Sequence, residues 1–206
     1  EVEPDEARDT LGELLRYSLV EWDEASGRYR LHDLARLYAG SRLSEDERAA
    51  AQRRHAAHYR AVLALAGDLY EKGGEYLMRG LALFDLESPN IQAGQYWATA
   101  HADKDDEAAR LCNSYPNAGA YVLALRQHPR RRIDWLEAAL AAAQRLNDRE
   151  AEGRHLGNLG IAYANLGEPR HAIEYHEKAL AISREIGDKQ SEGQNLGNLG
   201  IGILTW

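Results

Sequence analysis

The side chains able to do chemistry are few and scattered. Eight histidines and one cysteine, Cys112, are the candidate ligands and nucleophiles. His55 and His58 stand three apart, a spacing that places both on one helix face. No carboxylate or cysteine stands beside them to complete a metal site, so they read as residues of a solvated basic face. His171 and His176 read as surface and packing residues of one helix. Cys112 has no partner for an internal disulfide. It points to a reducing compartment, hence the cytoplasm, and reads as a small buried hydrophobe. No Gly-x-x-x-x-Gly-Lys-Ser/Thr loop is present, and no nucleophile, base and acid stand in a recognisable set. The expectation is a chain with no catalytic residues, no metal and no cofactor of its own. A further histidine stands in Leu31-His32-Asp33, at the start of a predicted helix. A histidine there is suited to meeting an anion, because the helix dipole adds to its attraction. It is equally suited to capping the helix, and Asp33 favours the same helix start.

Residues of this kind need elements to hold them, and the composition says which. The chain has 206 residues, 44% hydrophobic and 28% charged. That is enough for one large domain or two small ones with a real core. Alanine, leucine, glutamate and arginine dominate, while phenylalanine occurs once and proline five times, a bias toward helix. The net charge of −8 repels phosphate backbones, so nucleic acid is a poor default partner. No apolar run approaches the ~18 residues of a membrane span. The acidic residues 1–6 are no secretory signal. With no initial methionine and an abrupt end at Trp206, the chain reads as a piece of a longer protein.

The strongest organisation is an internal repeat. Residues 152–162 (EGRHLGNLGIA) and 192–202 (EGQNLGNLGIG) agree at eight of eleven positions, at an offset of 40. The same offset aligns residues 129–149 with 169–189 at eight of 21 positions, among them Pro129 with Pro169, Ile133 with Ile173, Leu140 with Leu180 and Asp148 with Asp188. Each unit reads as a helical hairpin. The first helix runs from about Glu152 to Leu166 with Leu156, Leu159 and Tyr163 on one face. Gly167 ends it in the left-handed conformation, and Pro169 opens the second helix. That helix carries Ile173, His176 and Leu180, and Gly187 ends it. Gly157 and Gly160 cost an isolated helix about 1 kcal/mol each, so they mark places where another helix approaches closely.

This pattern resembles the tetratricopeptide family. Leu156, Leu159, Gly160, Tyr163, Ala172 and Ala179 fall at the family's spacing, over residues 111–206, although a 40-residue unit is longer than the family's usual 34. The resemblance implies an α-solenoid whose groove binds a protein or peptide. Leu156, Leu159 and Tyr163 are committed to packing, so the groove face falls on Arg154, Asn158, Ile161 and Asn165, and in the next unit on Gln194, Asn198 and Ile201. An asparagine amide can both donate to and accept from an extended peptide backbone. Asn158 and Asn198 are equally suited to bonding neighbouring helices. The last helix, from Glu192 to Trp206, lacks a partner, so Leu199, Ile203, Leu204 and Trp206 are expected to be partly exposed, an edge suited to self-association.

Ahead of the repeats the organisation changes. Ala7 to Tyr17 reads as an amphipathic helix with Leu11, Leu14 and Leu15 inward. Leu19-Val20-Glu21-Trp22 and Arg28-Tyr29-Arg30-Leu31 flank the turn-rich Asp23-Glu24-Ala25-Ser26-Gly27 as a hairpin. A helix bearing Leu34, Leu37 and Tyr38 on one face follows. The segment LLRYSLVEWDEASGRYRLHDLARLYA resembles the winged-helix domain of the NB-ARC or STAND signal-transduction ATPases, with Leu31-His32-Asp33 in place of the family's histidine–aspartate motif. The resemblance implies that His32 and Asp33 contact ADP held by an upstream nucleotide-binding domain of the bacterial parent protein. ADP or ATP would thus belong to the parent, not to this chain.

Ser44-Glu45-Asp46-Glu47 is a capping box opening a helix to about Tyr70. Ser88-Pro89-Asn90 reads as the start of another. The expected fold is mainly α: a partial winged helix with one β-hairpin at residues 1–43, a helical linker at 44–110 and repeats at 111–206. Helix should exceed half of the chain. The expected function is a protein-interaction and sensor module of such a switch. The alternative is a DNA-binding winged-helix transcription regulator with a ligand-sensing repeat domain. Ten acidic against six basic side chains in residues 1–43 oppose it.

Overall fold

Short-range signals account for most element boundaries in the computed structural model, which describes residues 4–24 and 27–204. These are 83% helical, in ten helices and one two-stranded antiparallel hairpin. The chain divides into two compact units, residues 1–51 and 52–206.

In the first unit, α1 (Pro4–Arg16) leads into β1 (Val20–Asp23) and β2 (Arg28–Leu31), and α2 (Asp33–Arg42) follows. The strand register pairs Glu21 with Arg30 and Asp23 with Arg28, opposite charges face to face, and sets Trp22 against Tyr29 with ring centroids 4.8 Å apart. Gly27, at φ 66°, closes the turn by donating its N–H to the Asp23 carbonyl at 2.8 Å. Ala25 and Ser26 of the predicted turn lie outside the described residues. Burial here is thin. Val20 is buried, Leu11 and Leu14 are half-buried, and Leu15, expected inward, is exposed. The predicted apolar face of α2 is fully presented: Leu34, Leu37 and Tyr38 are each about two-thirds exposed or more (72%, 67% and 69%). One hairpin and one short helix supply too little surface to cover them.

The capping box forms as expected at the head of α3 (Glu45–Lys72). The Glu47 carboxylate accepts from the Ser44 N–H at 2.9 Å, and the Ser44 hydroxyl accepts from the Glu47 N–H at 3.3 Å. The expected helix start at Ser88-Pro89-Asn90 is wrong. Pro89 lies inside α4 (Glu75–His101), which runs through it. An interior proline costs about 3 kcal/mol. Leu81, Phe84, Ile91 and Ala98 are buried at helical spacing on both sides of it, so continuous packing overrides the local stop signal. After α4 come α5 (Asp106–Ala118) and α6 (Ala120–Arg126). The buried Tyr115 of α5 donates its hydroxyl to the Ala56 carbonyl of α3 at 2.7 Å. It can do so because Gly94 of α4 leaves room: a Cβ there would lie 2.2 Å from that oxygen.

The remaining helices are α7 (Pro129–Arg145), α8 (Arg149–Asn165), α9 (Pro169–Ile186) and α10 (Lys189–Leu204). Each packs on the next, and the three turns are built alike. Asn147, Gly167 and Gly187 take positive φ (55°, 80° and 75°), and the next residue's N–H reaches back five residues, Asp148 to Ala143, Glu168 to Tyr163 and Asp188 to Ser183, at 2.9 Å each. Pro129 and Pro169 sit in the first turns of α7 and α9. Ile133, Leu136 and Leu159 form one core cluster, and Leu156, Ala179 and Ile182 another. Leu199 is half-buried. Trp206 lies outside the described residues, as do the side chains of Ile201, Ile203 and Leu204, on which the expected exposure rests.

The two glycines flagged in the repeat do admit a neighbour. A Cβ on Gly160 would meet the His176 ring at 2.6 Å, and one on Gly157 would lie 3.3 Å from Asn195 Oδ1. Gly200, the counterpart of Gly160 in α10, has nothing within 4 Å. Gly160→Ala should therefore lower unfolding free energy by about 1–3 kcal/mol, whereas Gly200→Ala should be neutral or stabilising by up to about 1 kcal/mol. Urea denaturation of the two variants beside the parent chain reads the difference. Equal midpoints would show that the close approach does not matter.

Candidate functional site

The expected groove residues meet between α8 and α10, which lie side by side because both pack on α9. A shallow concavity of about 90 Å³ is lined by Gly153, Arg154, Gly157, Asn158, Ile161, Ser191, Gln194, Asn195 and Asn198. Five of the predicted groove residues are thus brought together. Asn165, one turn farther along α8, is exposed and is not part of this lining. Ile201 lies in α10, with its side chain outside the described residues. Gly153 and Gly157 contribute backbone, not side chains, to this lining.

The chemistry of the lining is mostly neutral. Arg154 pairs with Glu150 at 3.3 Å, but both are well exposed, so the pair contributes little. Asn158 and Asn198 are half-buried, and their side chains form no hydrogen bond among the described residues. Their amides therefore do not serve to tie neighbouring helices together, and both hydrogen-bonding ends are available to a ligand. Ile161, 38% exposed, adds an apolar contact.

Beneath the hollow lies a buried polar network that the sequence reading missed. Asn195, 5% exposed, has Oδ1 3.2 Å from His176 Nδ1, and its Nδ2 donates to the Ser191 carbonyl at 2.9 Å and to Ser183 Oγ at 3.4 Å. With Oδ1 accepting, His176 carries its proton on Nδ1. Burial holds the His176 ring's pKa below the ordinary value, partly offset by the Asn195 bond. One unit earlier, the position of Asn195 is taken by His155. It is fully buried, with Nε2 2.6 Å from Asn113 Oδ1, while Asn113 Nδ2 donates to Asp148 at 3.1 Å. His155 Nδ1 is buried without a partner. A signal was present: positions 155 and 195 differ within an otherwise near-identical stretch, and both carry polar side chains.

His32 is the N-cap of α2. Its Nδ1 accepts the Leu34 N–H at 3.3 Å, and its own N–H donates to the Leu19 carbonyl at 3.0 Å. Asp33 accepts from Arg36 at 3.0 Å and lies 3.9 Å from Arg30. His128 caps α7 in the same way, its Nδ1 accepting the Arg130 N–H at 3.3 Å, so the geometry of His32 is also that of an ordinary cap. A ring accepting at Nδ1 leaves Nε2–H as a donor, which fits one hydrogen bond to a phosphate oxygen.

His55 and His58 both pack on Tyr59, at centroid distances of 4.5 and 4.9 Å. No group of three His, Cys, Asp or Glu side chains is placed to hold a metal among the described residues. His171 is exposed and bonds Glu168 at 2.8 Å. Cys112 is buried, and burial raises its thiol pKa. No described helix is long and apolar enough to cross a membrane.

A family model described as tetratricopeptide repeat matches residues 133–185, the stretch that holds most of α7, all of α8 and nearly all of α9. Repeats of this kind generally mediate protein–protein interaction. No curated protein matches the chain.

The buried histidine makes the array acid-sensitive. Burial, reinforced by the nearby Arg154 charge, lowers the His155 pKa from 6.5 to about 4. Below pH 6.5 the unfolded chain takes up a proton that the folded chain refuses. The contribution is complete above pH 6.5 and is lost progressively toward pH 4, reaching about 3 kcal/mol. His155→Asn, which copies the residue of the next unit, should flatten the fall in stability between pH 7.5 and 5. An unchanged slope in urea titrations at the two pH values would exclude His155 as its source.

Proposed function

We propose that this chain is the interaction and sensor part of an NB-ARC/STAND-type signalling switch. In this reading the repeats bind a protein or peptide ligand in the α8–α10 hollow, and residues 1–43 act as a winged helix coupling that event to an upstream nucleotide-binding domain. The observation that carries the binding half is the convergence of Asn158 and Asn198, whose side chains form no hydrogen bond among the described residues, with Arg154, Ile161 and Gln194 on one concave surface. Helices beginning at Pro129 and Pro169, and at Arg149 and Lys189, support a unit of 40 residues.

The coupling half rests on the order of α1, β1, β2 and α2, and on His32 and Asp33 at the head of α2. ADP or ATP would be held mainly by the upstream domain, since the sequence has no phosphate loop. His32 would add one hydrogen bond from Nε2, and Asp33 would favour the helix start that positions it. Bound ADP would supply the charged phosphate that His32 contacts, and that contact would hold the switch closed.

Two experiments test the halves separately. Peptides selected from a random library on the wild-type chain should bind the Asn158→Ala, Asn198→Ala double variant at least about tenfold more weakly, by the loss of two hydrogen-bonding groups. Undiminished affinity would remove the groove assignment. In the full-length parent, His32→Ala should shorten ADP retention and give signalling without ligand. A variant that keeps its nucleotide and stays off would overturn the switch.

A further inference from the structure

The second unit holds another concavity that shares no residue with the α8–α10 hollow. It is a cleft of about 350 Å³ between α4 and α7, within the range of small-ligand sites, about 300–1,000 Å³. Its lining includes Gln92 and Tyr96 from α4 and Arg131, Asp134 and Trp135 from α7. Arg131 and Asp134 stand one turn apart on the same helix, a spacing at which opposite charges ordinarily pair. They do not pair here. Arg131 Nη1 donates instead to Gln92 Oε1 at 2.7 Å, and a neutral amide leaves the guanidinium charge in place. Asp134 has no ion pair or hydrogen bond among the described residues. Beside these two charges the Tyr96 ring is 75% exposed and the Trp135 ring forms a nearly buried wall.

A simple anion suited to Arg131 would meet the Asp134 carboxylate, and a simple cation suited to Asp134 would meet Arg131. A ligand bearing both charges satisfies both groups, and a flat apolar group on it can lie against Tyr96 and Trp135. We propose that this cleft binds a small zwitterion with an aromatic side group, either a free amino acid or a short peptide with both ends free. The carboxylate sits on Arg131, held in place by Gln92, and the ammonium sits on Asp134.

Calorimetric titration of the whole chain with phenylalanine and with glycyl-phenylalanine tests this, with the Trp135 indole N–H followed by NMR. A Kd on the order of 1 mM is expected for a ligand of this size, and the tighter of the two probes identifies the source. N-acetyl-phenylalanine, which lacks the ammonium, and phenylalaninamide, which lacks the carboxylate, should each bind about tenfold more weakly. Asp134→Asn should abolish the penalty for acetylation alone, and Arg131→Gln the penalty for amidation alone. Both residues are exposed, and unchanged melting of the variants confirms that they fold. The proposal is overturned if neither probe moves the Trp135 signal at concentrations up to 20-fold above that Kd, on the order of 20 mM. It is equally overturned if the blocked derivatives bind as well as the zwitterions, or if the penalties survive the substitutions.

Discussion

The repeat array depends on how closely α9 can lie against α8. Two glycines make that approach possible: Cβ atoms at Gly153 and Gly160 would stand 3.0 Å from Ile182 Cγ2 and 2.6 Å from the His176 ring, both on α9, while one at Gly157 would lie 3.3 Å from Asn195 Oδ1 of α10. Helix propensity alone disfavours each glycine. The gain is burial of Leu156, Leu159, Ala179 and Ile182 in continuous clusters and a neighbour for His176. α10 packs on α9 as well, and Gly157 leaves room for α8 and α10 to come together.

Close packing brings polar groups inside with it, and these give the array its register. The His176–Asn195–Ser183 network links α9 to α10, and the Asp148–Asn113–His155 chain links α5 to α8. Buried hydrogen bonds of this kind contribute modestly when made and cost more when one partner is left unmade, so they penalise any slip of one helix along the next. Arg149 joins the buried Glu152 of its own helix and the exposed Glu185 of α9, and the Glu185 contact is too exposed to add much stability. The two units differ sharply in this respect. Residues 52–206 carry nearly all of the buried side chains, whereas Val20 is the buried hydrophobe among the described residues of 1–51.

Misreadings of the sequence have identifiable causes. Ser88-Pro89-Asn90 carries the local marks of a helix start, yet burial of Phe84 and Ile91 on either side keeps α4 continuous. Leu15 has the spacing of an inward residue but no element in its unit to cover it. His32 was legible as a residue able to cap or to meet an anion, and its cap geometry, shared with His128, is set by the backbone of its own helix start.

What the sequence by itself determined is everything encoded within a few residues or repeated along the chain: the helical hairpins with Pro129 and Pro169 in their first turns, the left-handed turns at Gly167 and Gly187, the β-hairpin, and the outward face carrying Arg154, Asn158 and Ile161. Such signals act through backbone sterics and helical periodicity, which are local. Only the tertiary structure decided that Asn113 meets His155, that His176 meets Asn195, that α4 runs through its proline, and that Arg131 turns to Gln92 and leaves Asp134 alone. The side-chain meetings among these join residues 19 to 42 positions apart, and which polar groups meet at that range is set by how neighbouring helices pack, not by any pattern along one of them.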